Sequence, residues 1–256
     1  MARDRRDTYY WRAKEEGYRS RAAFKLLQIN EKFSIIKEKD TVVDLGAAPG
    51  GWSKVAKELS GGRVIGVDLQ RIAPIEGVDT IKGDITSDTT IKKIFELVGE
   101  EGVDTVICDA APNLSGNWSY DHARSIDLSR SALECAKKIL KPGGHFVVKV
   151  FQGDMFRGFL EEARSDFVQT KSFSPVASRS QSAEIYVISK RFIKAPVKKG
   201  EELDVEITSM GSTGDGVFNI QDFIVFVKGA SKGDKVRIKV KDIKPNFAFA
   251  DVISRY

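Results

Sequence analysis

Apolar residues along the first three quarters of the chain alternate between a helical period and short unbroken runs. Ala22, Leu26, Ile29 and Phe33 form a stripe at helical spacing, and Ser20 stands where a cap is wanted, which predicts a helix over 20–33 with Lys25 on the margin of its apolar face. Residues 41–45 read as a buried strand, and 53–59 as a helix that Gly61-Gly62 stops. Strands follow at 63–68, 80–82, 103–108 and 145–150, with helices at 87–98, 120–140 and 155–164; Lys141-Pro142-Gly143-Gly144 ends the longest helix. Two further β runs, 167–173 and 183–189, are joined by a loop too short for a helical crossover and should form a hairpin.

Strand and helix in alternation predict an α/β fold, a parallel doubly wound sheet of Rossmann-like type whose ligands bind beyond the carboxyl ends of the strands. If the last strand runs antiparallel, its beginning lies along that same edge and brings Glu184 there. After Phe192 the pattern changes: Ala195-Pro196 and Lys198-Lys199-Gly200 look like a linker, and short strands separated by glycine turns predict a small all-β barrel. The expected organisation is a domain over 1–192, with a basic, aromatic arm over 1–19, and a barrel over 193–256.

The candidate chemistry lies in the strand ends. In Thr-Val-Val-Asp44-Leu-Gly46-Ala-Ala-Pro49-Gly50-Gly51-Trp52 a strand passes through a Gly/Pro turn into a helix, which offers backbone N–H groups and close approach to the main chain. The spacing matches neither a dinucleotide fingerprint nor a P-loop. An acidic residue closing the strand, with no phosphate-binding lysine, suits a nucleoside carrying an amino-acid tail, of which S-adenosylmethionine is the common example; a turn whose glycines merely pack is the plainer alternative. Asp68 stands where such units bind ribose hydroxyls. Asp84, Asp109 and Lys149 also fall at or beside carboxyl ends. Lys149, flanked by Val147, Val148, Val150 and Phe151, is the least suited to a purely structural place, because a charge in a buried strand is costly unless paired or functional. Plainer alternatives are a brace for Asp44, a turn residue for Asp84, a surface ion pair for Glu184 and core packing for Trp52.

A content of 41% apolar and 30% charged residues is that of a soluble globular protein, and no apolar run is long enough to span a membrane or form a signal segment, so a cytoplasmic protein is expected. Cys108, Cys135, His122 and His145 show no metal-site spacing; the cysteines read as buried thiols and no metal is expected. Net charge is +5, and residues 1–25 hold eight Lys/Arg against four Asp/Glu. Tyr9, Tyr10, Trp11 and Tyr18 are interleaved with those cations, a mixture suited to phosphate and unpaired bases, hence to RNA; a solvated arm is the alternative.

The runs Asp44-Leu-Gly-Ala-Ala-Pro-Gly-Gly-Trp52-Ser, Asp109-Ala-Ala-Pro-Asn113 and Val-Val-Lys149-Val-Phe-Gln-Gly153 together closely resemble the FtsJ-like RNA ribose 2′-O-methyltransferases, over about residues 8–190. The resemblance implies a Lys-Asp-Lys-Glu tetrad at Lys25, Asp109, Lys149 and Glu184, and S-adenosylmethionine bound at Gly50, Trp52, Asp68, Asp84 and Asp109. It implies methylation of a ribose 2′-hydroxyl, that of a uridine, in large-subunit ribosomal RNA or the large ribosomal subunit, with transfer RNA as the alternative substrate. The tail, with Gly211-Ser-Thr-Gly-Asp-Gly-Val-Phe and Phe223-Ile-Val-Phe-Val-Lys-Gly, is similar to the TRAM domain, a small RNA-binding barrel, and suggests an archaeal member. A non-catalytic RNA-binding assembly factor would have no need of a complete tetrad, and a nicotinamide-dependent oxidoreductase would want other glycine spacing. Lys149 is the candidate base or orienting group: Lys25 and burial push its pKa down while Asp109 and Glu184 push it up, and the sequence leaves the balance open.

Overall fold

The computed structural model describes residues 8–179, 182–221 and 223–256, so the arm residues 1–7 lie outside the described part. The chain divides into two compact units, the first ending at Phe192 and the second spanning Ile193–Tyr256.

In the first unit, β1 (Val42–Leu45), β2 (Val64–Asp68), β3 (Val78–Lys82), β4 (Val103–Cys108) and β5 (Leu140–Phe151) are parallel, and β6 (Phe167–Phe173) and β7 (Glu184–Phe192) complete a sheet of order β3-β2-β1-β4-β5-β7-β6. Strand β7 runs antiparallel to both neighbours, with Phe151 opposite Glu184 and Lys149 opposite Tyr186. The order reverses between β1 and β4, which opens a crevice at their carboxyl ends. Helices α2 (Ala23–Phe33) and α3 (Gly51–Ser60) cover one face, where Leu26, Ile29, Val55 and Ala56 pack with Val42, Ile107, Val147 and Tyr186. Helices α4 (Asp88–Val98), α5 (Trp118–Ile139) and α6 (Phe156–Asp166) supply Ile94, Ile126, Leu133 and Phe159 to the core of the other. Burial on both faces explains why the strands read as unbroken apolar runs. Cys108 and Cys135 are buried free thiols.

Two local expectations change, and one alternative reading falls. Ser20 does not cap α2: the helix begins at Ala23 with no side-chain cap, the Ser20 carbonyl accepts from Ala23 N–H in a preceding turn, and the hydroxyl instead fills the space beside Gly51. The stretch Lys141-Pro142-Gly143-Gly144 does not separate helix from strand but forms the irregular first part of β5. The register slips between Val103 and Thr105 there, Gly143 takes φ +83°, and a Cβ at Gly144 would come within 3.0 Å of the Asp104 and Lys141 carbonyls. Proline and glycine are tolerated at such a bulged strand start. The arm, beyond residue 7, is not merely solvated: α1 (Thr8–Glu15) buries Ala13, and Tyr9 and Tyr18 place their rings 5.4 and 5.7 Å from Phe24. Tyr10 and Trp11 remain exposed.

The second unit is an all-β sheet of order β8-β12-β13-β11-β10-β9: β8 (Glu202–Glu206), β9 (Ser209–Met210), β10 (Gly216–Ile220), β11 (Phe223–Lys228), β12 (Lys235–Ile243) and β13 (Phe247–Arg255). The segment 202–210 bends at the buried Ile207, so that β8 pairs with β12 and β9 with β10. The two ends of the strand order are thus halves of one bent segment, and the sheet curls around Val225, Val227, Val236, Ile238, Val240, Ala248 and Ala250.

Candidate active site and cofactor loop

Four charged residues from four elements meet at the carboxyl edge of the large sheet. Lys149 Nζ donates to the backbone carbonyl of Asp109 at 2.5 Å, lies 3.1 Å from the Asp109 carboxylate, and is 4.0 Å from Glu184 Oε1. Lys25 Nζ, from the first turn of α2, donates to Glu184 Oε2 at 2.8 Å. Lys25, Glu184, Lys149 and Asp109 therefore form one continuous chain of alternating charge. Each position has a local cause: Asp109 follows the last residue of β4, Lys149 sits within β5, and the antiparallel sense of β7 turns its first residue, Glu184, to the same edge.

Both lysines are buried. Burial alone would lower the Lys149 pKa, but Asp109 and Glu184 outweigh it and hold the ammonium above its ordinary value. Likewise burial would raise the Glu184 carboxyl, and Lys25 and Lys149 bring it below the usual range. The balance left open by the sequence falls to the carboxylates: Lys149 is a cation and a hydrogen-bond donor. Sequence reasoning missed Tyr186, whose hydroxyl donates to Asp109 Oδ1 at 2.6 Å. The available signal was its spacing, because two residues beyond Glu184 on a strand means the same face.

The loop after β1 is built from its own backbone. Gly46 and Ala47 N–H donate to Val67 carbonyl, Gly50 N–H donates to Ala47 carbonyl at 2.6 Å, and the Ala48–Pro49 peptide is cis. Gly46 (φ +70°) and Gly50 (φ +103°) occupy left-handed backbone that a side chain resists, and a Cβ on Gly46 would collide with Ala110. Asp68 braces the loop, accepting from Ala48 N–H at 2.9 Å and Gln70 N–H at 2.8 Å. From outside, Arg19 donates to the carbonyls of Pro49, Ala73 and Pro74. Trp52 is core: its indole N–H donates to Ala22 carbonyl and its ring stacks on Tyr186, so what it offers the loop is a backbone N–H in the first turn of α3. Asp84 stands apart at the end of β3, exposed, accepting from Thr86 N–H and hydroxyl at 2.8 Å as a turn residue does.

Asp44 is fully enclosed. One carboxylate oxygen accepts from Ser53 Oγ at 2.6 Å, and the other is buried without a partner among the described residues. Burial, with Asp109 and Asp68 nearby, pushes its pKa up to about 7 despite the Ser53 hydrogen bond. Three carboxylates, an orphaned buried oxygen and amide donors at a helix start fit a ligand that is cationic and rich in hydroxyl and amine groups, and fit a polyphosphate poorly. S-adenosylmethionine, a sulfonium with an amino-acid tail and a ribose, is of that kind. No cluster of three or more His, Cys, Asp or Glu side chains placed to hold a metal occurs among the described residues, and no helix among them is long and apolar enough to cross a membrane.

Comparison with known proteins agrees with the geometry. The model of the FtsJ-like methyltransferase family matches residues 18–192, and that of the TRAM domain matches residues 196–253. The chain is 70% identical over 255 residues to ribosomal RNA large subunit methyltransferase E of Methanosarcina acetivorans, covering 100% of this chain and 94% of that one. It is 49% identical to the protein of the same name from Natronomonas pharaonis, over 97% of this chain and 99% of the other. A solved Plasmodium falciparum structure described as a ribosomal RNA methyltransferase superposes with a TM-score of 0.63 at 28% identity, over 68% of this chain and 98% of that one. Parallel sheet, glycine loop, charge chain and these matches converge: the chain belongs to the FtsJ-like methyltransferase family and carries a TRAM domain C-terminal in sequence to the methyltransferase unit.

Proposed function

We propose that the protein transfers the methyl group of S-adenosylmethionine to a ribose 2′-hydroxyl, that of a uridine, in large-subunit ribosomal RNA. The observation that carries this reading is the charge chain Lys25–Glu184–Lys149–Asp109 beside an acid-lined glycine loop; the names of the relatives support the substrate. The donor, when bound, supplies a methyl group already activated by its positive sulfur. Asp44 and Asp68, with the backbone at Gly46, Pro49, Gly50, Gly51 and Trp52, form its seat, and Asp84 and Asp109 lie at the ends of the neighbouring strands. The work left to the side chains is alignment and charge.

Lys149, held cationic, donates to the 2′-oxygen and fixes its position and lone-pair direction. Asp109 and Glu184 hold that ammonium from two sides, Lys25 fixes Glu184, and Tyr186 fixes Asp109. With Lys149 already protonated, the hydroxyl proton leaves late, after the forming C–O bond has made the oxygen acidic, and passes to water by way of Glu184, the nearest carboxylate to Lys149 besides Asp109. The basic arm and the TRAM unit hold the RNA through phosphate charge and base stacking.

The test is methyl transfer from labelled S-adenosylmethionine to large ribosomal subunits, free ribosomal RNA and transfer RNA, with mapping of alkali-resistant linkages. Label on a 2′-oxygen of large-subunit RNA is expected; label on a base overturns the ribose assignment, and label confined to transfer RNA replaces the substrate. Removal of residues 193–256 should weaken RNA binding and flatten its salt dependence, while S-adenosylmethionine still raises the melting temperature of the remainder. A truncated chain that no longer responds to the cofactor would show that the methyltransferase unit does not stand alone.

A further inference from the structure

Beside the charge chain lies a patch of large side chains that the core does not use. Leu114, Trp118, Tyr120 and Met155 are all exposed, Trp118 by 51%, although they come from only two stretches of chain. Both stretches lead directly out of the site: Leu114 follows Asp109 by five residues, and Met155 follows Lys149 by six. The Trp118 ring stacks at 6.2 Å on Phe151, the residue paired with Glu184 across β5 and β7. It also stacks at 6.1 Å, nearly parallel, on the buried ring of His122.

This patch is fixed in place. Asn117 caps α5 by accepting from Tyr120 N–H at 3.2 Å, which sets Trp118 at the first position of the helix. The buried Asp121 accepts from Ser115 N–H and hydroxyl, each at 2.8 Å, and from Gly116 N–H at 3.1 Å, pinning the loop that carries Leu114. His122 Nε2 accepts from Met155 N–H at 3.2 Å, and Gly153 lies so close to the imidazole that a Cβ would come within 2.7 Å of it. Two buried polar side chains and a cap are thus committed to presenting an aromatic ring at the surface. Two turns of the same elements carry cations: Arg124 lies 5.6 Å from the Tyr120 ring centroid while donating to Asn113 carbonyl at 3.1 Å, and Arg157 is exposed in the first turn of α6.

We propose that Trp118, backed by His122 and Phe151, is a stacking platform for an unpaired RNA base next to the nucleotide being methylated. The inference rests on the function proposed above, since it needs a ribose presented to Lys149. A rigid, half-exposed indole is what an unpaired base requires, and it binds without ordering a loop first. Stacking there would hold one neighbour of the target nucleotide while the four charged groups hold its sugar, making Trp118 a positioning residue rather than a participant in the bond change.

Two measurements test it. In Trp11→Phe protein, which retains the buried Trp52 and the exposed Trp118, titration with a single-stranded oligoribonucleotide of mixed sequence should quench tryptophan emission, and adding Trp118→Phe should abolish the quench. In steady-state transfer to large-subunit ribosomal RNA, Trp118→Leu should raise KM for RNA about 5- to 100-fold with the affinity for S-adenosylmethionine unchanged, and Trp118→Phe should restore most of the loss. Emission that RNA leaves unchanged, or a KM in Trp118→Leu within twofold of wild type, overturns the platform. Quenching at Trp118 in a wild-type protein that transfers no methyl group to ribosomal RNA supports the platform and overturns the function on which it was placed.

Discussion

Replacing Lys149 by alanine is expected to slow methyl transfer by about 10²- to 10³-fold, the range typical of losing one preorganised hydrogen-bond donor, while S-adenosylmethionine binds nearly as in wild type. The separation of the two effects follows from the geometry, since Lys149 contacts Asp109 and Glu184, and the glycine loop is held by Asp68, Ser53 and Arg19. Single-turnover rates and calorimetric cofactor titrations measure the two sides; a variant with wild-type rates removes Lys149 from the mechanism. The charge state adds a pH dependence. Because the Lys149 pKa is raised on folding, its contribution to stability is fully present below the ordinary lysine value of about 10.4 and is lost only as pH rises through the higher folded value. The single-turnover rate should therefore show no inflection from Lys149 between about pH 7 and 9, whereas a neutral-amine base would make it climb across that range.

Asp44→Asn should give a protein that is more stable without its cofactor and binds the cofactor less well. The folded Asp44 pKa is raised from 3.8 to about 7. Between those values the folded chain holds a proton that the unfolded chain has released, so stability falls as pH rises through the window and stays reduced above it. The shift corresponds to about 4 kcal/mol at full ionisation. Asparagine abolishes that penalty and keeps an oxygen for the Ser53 hydroxyl. Melting curves at pH 4 and pH 8 should show the variant gaining on wild type only at the higher value, with a smaller rise on adding S-adenosylmethionine. Equal or lower stability of Asp44→Asn at pH 8 would show that burial of the carboxylate carries no such cost.

Much of the site was legible because a parallel sheet converts sequence position into spatial position. Acidic residues ending apolar runs mark one edge, and the short connection before the last strand indicated its reversal, which is how Glu184 could be placed beside Lys149 although neither run of sequence contains the other. Side-chain detail was less accessible. Trp52 carries the same letter whether it walls a ligand or lies in the core against Tyr186, and only packing with α2 decides it. The charge on Lys149 depends on two carboxylates from other strands, at 3.1 and 4.0 Å, and no local pattern encodes such distances. The Pro-Gly-Gly run read as a stop because those residues punctuate most chains, yet a bulge lets them begin a strand. Trp118 stood outside the helix expected from 120, so its i+4 spacing to His122 was not read, and its other partner, Phe151, comes from a distant strand.

The ion pair between Lys25 and Glu184 joins positions 159 residues apart, which orders events during synthesis of the chain. At about 5–20 residues per second, roughly 8–32 s pass between the appearance of one partner and that of the other. Throughout that interval Lys149, once made, has no Glu184 to offset its burial, and β5 lacks the neighbour that shields its outer side. The nascent chain can close its glycine loop early, from residues within a single βαβ stretch, but the charge chain stays open until nearly all of the first unit has emerged.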